Sequence, residues 1–134
     1  GLHFTNTYTI PDETSIQITA SKTYNGGELD AGEFVFRLSG AGDQLIEEKK
    51  NAADGSVTFM PLAITQEGTY RYTLAEVAGK AEGVTYDTRV YTLTYEVTVD
   101  DQNRLQAVLS EVKQDGGILP TDAKLVFENT YTAP

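Results

Sequence analysis

A chain of 134 residues, 40% of them apolar or aromatic, has material for one domain with a real core and is not a disordered segment. Its net charge of −10 disfavours nucleic acid and anionic membrane as partners, because both need basic surface; scattered acidity suits a soluble surface domain. The absence of Cys removes disulfides, thiol catalysis and Cys-based zinc sites, and with one histidine, His3, there is no His- or Cys-based nucleophile system for a turnover enzyme.

Eight Tyr and five Phe, with many Thr and Val, favour strands, and twelve Gly and four Pro supply turns. Residues 4–11 read FTNTYTIP and residues 127–134 read FENTYTAP, so six of eight positions match at a lag of 123. A period of one domain length points to tandem domains. Residues 1–11 are therefore expected to be the tail of a preceding repeat and a linker, and residues 12–134 the domain itself. Within it the expected strands are 15–23, 33–39, 56–60, 68–77, 89–99, 104–112 and 124–131. Turn residues separate them at Asn25-Gly26-Gly27, Gly40 to Asp43, Asp54-Gly55 and Asp100 to Asn103. The run Glu47 to Asn51 reads as a solvated loop. No helix of convincing length or amphipathic period occurs. The pattern of short strands between turn signals is that of a β-sandwich.

Alternation along a strand assigns each side chain to a face. Ile16, Ile18, Ala20 and Lys22 share one face of the first strand. Tyr70, Tyr72, Leu74 and Glu76 share a face of another, and Leu125, Phe127, Asn129 and Tyr131 align in the last. Three strands thus each carry one polar residue on an apolar side. Lys and Glu are almost never fully buried unless paired, and a buried uncompensated charge costs several kcal/mol. One shared site would remove that difficulty. Alternation is equally compatible with a Lys22 that reaches solvent from a strand end, with a plain Lys22–Glu76 ion pair, and with an Asn129 that satisfies a turn.

The shared site has a definite chemistry. An amine attacks only when neutral, and burial lowers its pKa by roughly 3–5 units while acting the other way on a carboxyl. With the proton on Glu76, Lys22 is free to attack the Asn129 side-chain carbonyl carbon. Glu76 is expected to bind and polarise the carboxamide oxygen, then to relay a proton to the departing ammonia. The product is an amide that neutralises the lysine permanently.

The stretches SKTYNGGELDAGEFVFRL, NAADGSVTF, GTYRYTLAEV, GVTYDTRVYTLTYEV and FENTY occur in that order over residues 20–131. In them the chain resembles the isopeptide-linkage domains of streptococcal-type pilins and related Cna-B-like surface repeats of Gram-positive bacteria. That resemblance implies an all-β, Greek-key, immunoglobulin-like sandwich. It also implies a cross-link between Lys22 and Asn129 promoted by Glu76, no cofactor or metal, and a place in a cell-wall stalk or pilin among neighbouring repeats. No YPKN-like segment for linking subunits is present, which favours a stalk repeat over a polymerising backbone subunit. Leu119-Pro120-Thr121 is similar to the start of a sortase signal, but Asp122 and the strand after it argue against one. Asn6 matches Asn129 without a lysine partner and is expected to stay unbonded.

A different class of function is an adhesin module that binds a host ligand through sandwich loops, with residues 40–55 and 78–88 as candidates. Tyr86 is the aromatic residue there, and it also fits a strand-entry role. Asp100, Asp101 and Asn103 lack the spacing of a calcium loop and read as a hairpin turn. The cross-link itself is a single self-directed event, so turnover catalysis is not expected.

Overall fold

Residues 9–134 are described by the computed structural model. His3, Asn6 and most of the expected 1–11 tail lie outside them. The described residues form twelve strands: β1 (Thr14–Ile16), β2 (Thr19–Asn25), β3 (Val35–Ser39), β4 (Leu45–Lys50), β5 (Ser56–Thr58), β6 (Leu62–Ile64), β7 (Gly68–Glu76), β8 (Val84–Thr85), β9 (Val90–Val99), β10 (Leu105–Gln114), β11 (Gly117–Leu119) and β12 (Val126–Tyr131). A single 3-10 turn at Ala41–Asp43 is the one helical element among them.

Two main sheets result. The larger has the order β11-β10-β9-β7-β3-β4 and the smaller β5-β2-β12-β8, while β1 and β6 pair separately. Their inner faces meet in one core. Phe36, Leu38, Leu74, Tyr91 and Leu93 come from the larger sheet, and Ala20, Val57 and Phe127 from the smaller. Phe127 packs against Phe36 and Tyr91 with ring centroids 5.1 and 5.3 Å apart, which locks the layers together. The β-sandwich expected from the strand pattern, in the all-β immunoglobulin-like form that the resemblance implied, is the observed architecture.

The chain's first and last long strands lie side by side. β12 runs parallel to β2, with Phe127 opposite Lys22 and Asn129 opposite Tyr24. Parallel neighbours cannot be joined by a tight hairpin, so this pairing brings together residues far apart in sequence. Asn129 is two residues beyond the partner of Lys22 and therefore on the same face.

Some boundaries differ from expectation. The strand expected at 15–23 is two strands, because its partner is interrupted. β6 and β5 flank Met60-Pro61, and proline has no N–H to give a ladder. At the break the Gln17 side-chain amide donates to the Phe59 carbonyl, and Phe59 N–H donates to the Ile18 carbonyl at 3.1 Å. Ile16, Ile18, Ala20 and Lys22 are nevertheless all buried, so alternation survives the change of partner. Residues 47–50, expected to be loop, belong to β4. This strand pairs with β3 at the edge of the larger sheet and is largely exposed on both sides, so it shows no apolar alternation. Its charges are the kind that blunt a free edge.

Candidate functional site

Three elements deliver the site's side chains from both sheets. Lys22 projects inward from β2 and Asn129 from β12. Glu76, the last residue of β7, comes from the opposite layer, where its strand partner is Phe36. The side chains of Lys22 and Glu76 have no exposed surface, and Asn129 is fully buried. The structure brings together all three residues singled out from the sequence. Lys22 Nζ lies 3.0 Å from Glu76 Oε2, and Asn129 Nδ2 donates to that same oxygen at 2.9 Å.

The walls are aromatic. Lys22 Nζ sits 4.9 Å from the centre of the Phe34 ring and 5.7 Å from that of Phe36. Tyr24 and Tyr86 pack edge-on against Phe34 and complete the cover. Tyr86 OH also accepts the Ala81 N–H at 3.2 Å. Burial pushes the Lys22 amine below its ordinary range; the hydrogen bond and charge of Glu76 and the charge of Asp87 oppose that push without cancelling it. Among the described residues, Nζ has no polar partner beyond its ion pair with Glu76. The amine is held near an acid in a dry pocket, a condition that favours its neutral, nucleophilic form.

One arrangement differs from expectation. Glu76 does not bind the carboxamide oxygen of Asn129. That oxygen accepts the backbone N–H of Asp87 at 2.8 Å, and the same N–H lies 3.0 Å from Glu76 Oε1. The N–H fixes which end of the carboxamide is which, since a flipped amide would set donor against donor. Glu76 is thus beside the carboxamide nitrogen, and the loop before β9 serves the oxygen. Sequence reading did not assign Asp87 to the site. Its contribution here is a main-chain donor, which every non-proline residue carries, so residue type gave no signal.

Local backbone fixes where Lys22 sits. Its N–H donates to the Gly55 carbonyl at 2.7 Å. Gly55 has φ +91, and a Cβ there would strike the Lys22 carbonyl oxygen, so only glycine lets β5 approach this closely. Across the layers, Tyr91 OH donates to the Val126 carbonyl at 2.8 Å and accepts its N–H at 3.0 Å, which anchors the start of β12.

The Asp100 turn is a hairpin between β9 and β10, with Asp100 Oδ1 accepting the N–H groups of Gln102 and Arg104. Leu119 ends β11, and Pro120-Thr121 begin the turn toward β12, closed by a bond from Ala123 N–H to the Pro120 carbonyl. No helix among the described residues is long and apolar enough to cross a membrane.

Fold and cluster together define a class: a two-layer β-sandwich with an amine, an acid and a carboxamide buried between its layers. The family profile described as FctA, Spy0128-like isopeptide containing domain, matches residues 18–132, and the chain belongs to that family. Among solved structures it is similar to the major pilin of Streptococcus pyogenes, at 18% identity and a TM-score of 0.54, over 88% of this chain and 51% of that one. A point mutant of that pilin matches at 16% identity and a TM-score of 0.55 over the same shares. The T-13 major pilin of Streptococcus pyogenes matches at 18% identity and a TM-score of 0.51, over 90% of this chain and 54% of that one. The chain therefore spans about half the length of these pilins, and the likeness is one of fold. No curated protein matches it.

Proposed function

We propose that this domain is a structural repeat of a Gram-positive cell-surface stalk or pilin, made rigid by a self-formed amide bond between Lys22 and Asn129. The observation that carries this reading is the convergence of Lys22 Nζ and Asn129 Nδ2 on one oxygen of Glu76, with all three side chains out of solvent. Neutral Lys22 attacks the Asn129 carbonyl carbon and a C–N bond forms. Glu76, which holds the acid proton, gives it to Nδ2 and takes one from Nζ in exchange. The C–Nδ2 bond then breaks and ammonia leaves. The acid is restored and acts once per chain, so the domain is not a turnover enzyme. Residues 1–11 serve as the end of a preceding repeat and a linker, and the partners are neighbouring repeats of the same chain at the cell wall. Family membership supports the chemistry, and the absence of any Cys supports a need for a cross-link of another kind.

The intact mass of the purified, denatured chain tests this. The expected value is one ammonia below that of the sequence. Lys22→Ala, Glu76→Ala and Asn129→Ala should each restore the full mass. A deficit that persists in Lys22→Ala would reject the lysine as nucleophile.

A further inference from the structure

We propose that the backbone N–H of Asp87 is the oxyanion donor of the cross-linking step, and that the Asp87 carboxylate is the positioning group that aims it. This rests on the cross-link reading above and assigns a fourth participant to it.

When Nζ attacks the Asn129 carbonyl carbon, the C=O electron pair moves onto Oδ1. A negative oxygen then sits inside an apolar, aromatic-walled pocket, where it is costly without a donor. Among the described residues, the donor to Oδ1 is Asp87 N–H, at 2.8 Å. Such a preset donor acts most strongly where water is excluded. When the tetrahedral carbon collapses, the pair returns to C=O and Nδ2 departs as ammonia with the proton that Glu76 delivers. Because Asp87 N–H also lies 3.0 Å from Glu76 Oε1, one amide holds the acid and the electrophile in a common geometry.

A donor on a loop needs support, and the side chain of Asp87 supplies it. Its Oδ2 accepts the N–H of Glu128 at 2.7 Å, the residue next to Asn129 on β12. Its Oδ1 accepts the Arg89 N–H at 2.9 Å, and the Arg89 Nε bridges both oxygens at 3.0 and 2.9 Å. The carboxylate, only 6% exposed, thus ties the loop before β9 to the strand that carries the electrophile. Burial pushes this carboxyl up, but the bonds from Glu128, the Arg89 N–H and the guanidinium outweigh it and hold it below its ordinary value. It remains a carboxylate, the form that accepts all of these bonds.

The test follows ammonia loss over time by mass spectrometry in full chains released from a cell-free synthesis reaction. Asp87→Ala should slow bond formation by about 10- to 100-fold, the scale for misplacing a reacting group by about 1 Å, and Asp87→Asn by less. Leu105→Ala, a core truncation on β10 outside the site, controls for destabilisation and should react near the wild-type rate. Asp87→Ala reacting no slower than Leu105→Ala would overturn the proposal while leaving the cross-link reading intact. A wild-type chain of full mass would overturn both. In Lys22→Ala, which keeps Asn129 unreacted, NMR should detect a scalar coupling across the hydrogen bond from Asp87 N to Asn129 Cγ. This readout does not require an Asp87 variant to fold, and absence of the coupling in folded Lys22→Ala overturns the proposal.

Discussion

Lys22 combines a long flexible stem with an amine that has no exposed surface, and its surroundings decide what that amine does. Two phenyl faces favour a cation, burial disfavours it more strongly, and the nearby charges are Glu76, Asp87 and Arg89. The lowered pKa has a sign that can be checked in Asn129→Ala, where Lys22 stays a free amine. An unfolded lysine titrates at about 10.4. Between the lowered folded value and about 10.4, the unfolded chain binds more protons than the folded one, so stability rises with pH across that window. Thermal melts of Asn129→Ala should therefore gain stability on going from neutral to alkaline pH, relative to the wild-type chain, in which the proposed bond consumes the amine. Parallel pH profiles for the two would contradict this. The same scale shows what the sequence carried. Lys22, Glu76 and Asn129 were legible because each breaks the apolar alternation of its strand. Asp87 was not, because its N–H is a backbone group and its carboxylate lies in a loop that has no period to break.

At the scale of elements, the site depends on strands that fix its three side chains to within hydrogen-bonding distance. Gly55→Ala forces a positive φ on a residue with a Cβ and pushes β5 away from the Lys22 backbone. A loss of about 2 kcal/mol or more is expected from strain of this kind, read by urea unfolding, together with slower cross-linking. Asn51 plays a related part under Phe34. Its Oδ1 accepts the Phe34 N–H at 2.8 Å, and its Nδ2 donates to the carbonyls of Asp30 and Ala52. Asn51→Ala leaves the buried Phe34 N–H without its partner, at a cost of about 1–3 kcal/mol, and loosens the aromatic wall. An unfolding free energy unchanged by either substitution would contradict these roles. The long strands β7, β9 and β10 could be read from alternation and turn residues. Short β5 was read as well, inside the expected 56–60, whereas β4, β6, β8 and β11 were not. β4 hides its strand character because both faces are wet, and β8 is two residues long. β11 did carry a signal in Asp115-Gly116, a turn whose two residues both have positive φ and which pairs Gln114 with Gly117.

For the molecule as a whole, the parallel pairing of β2 and β12 makes the proposed bond a clamp between the two ends of the domain. Force entering at β2 and leaving at β12 loads them in shear, and a covalent tie between Lys22 and Asn129 carries that load past the chain between them. The tie closes a loop of about 107 positions, for which an entropic stabilisation of about 4–5 kcal/mol follows from the disulfide analogy. Glu76→Ala forfeits the tie, so its melting temperature should fall well below that of the wild type, with no change on adding reductant to either chain. The central claim is the bond itself, and peptide mapping of the denatured wild-type chain tests it most directly. Protease digestion should yield one branched peptide that joins the segment with Lys22 to the segment with Asn129, lighter than their sum by one ammonia. Recovery of the two segments as separate peptides, each at its full mass, would contradict the account.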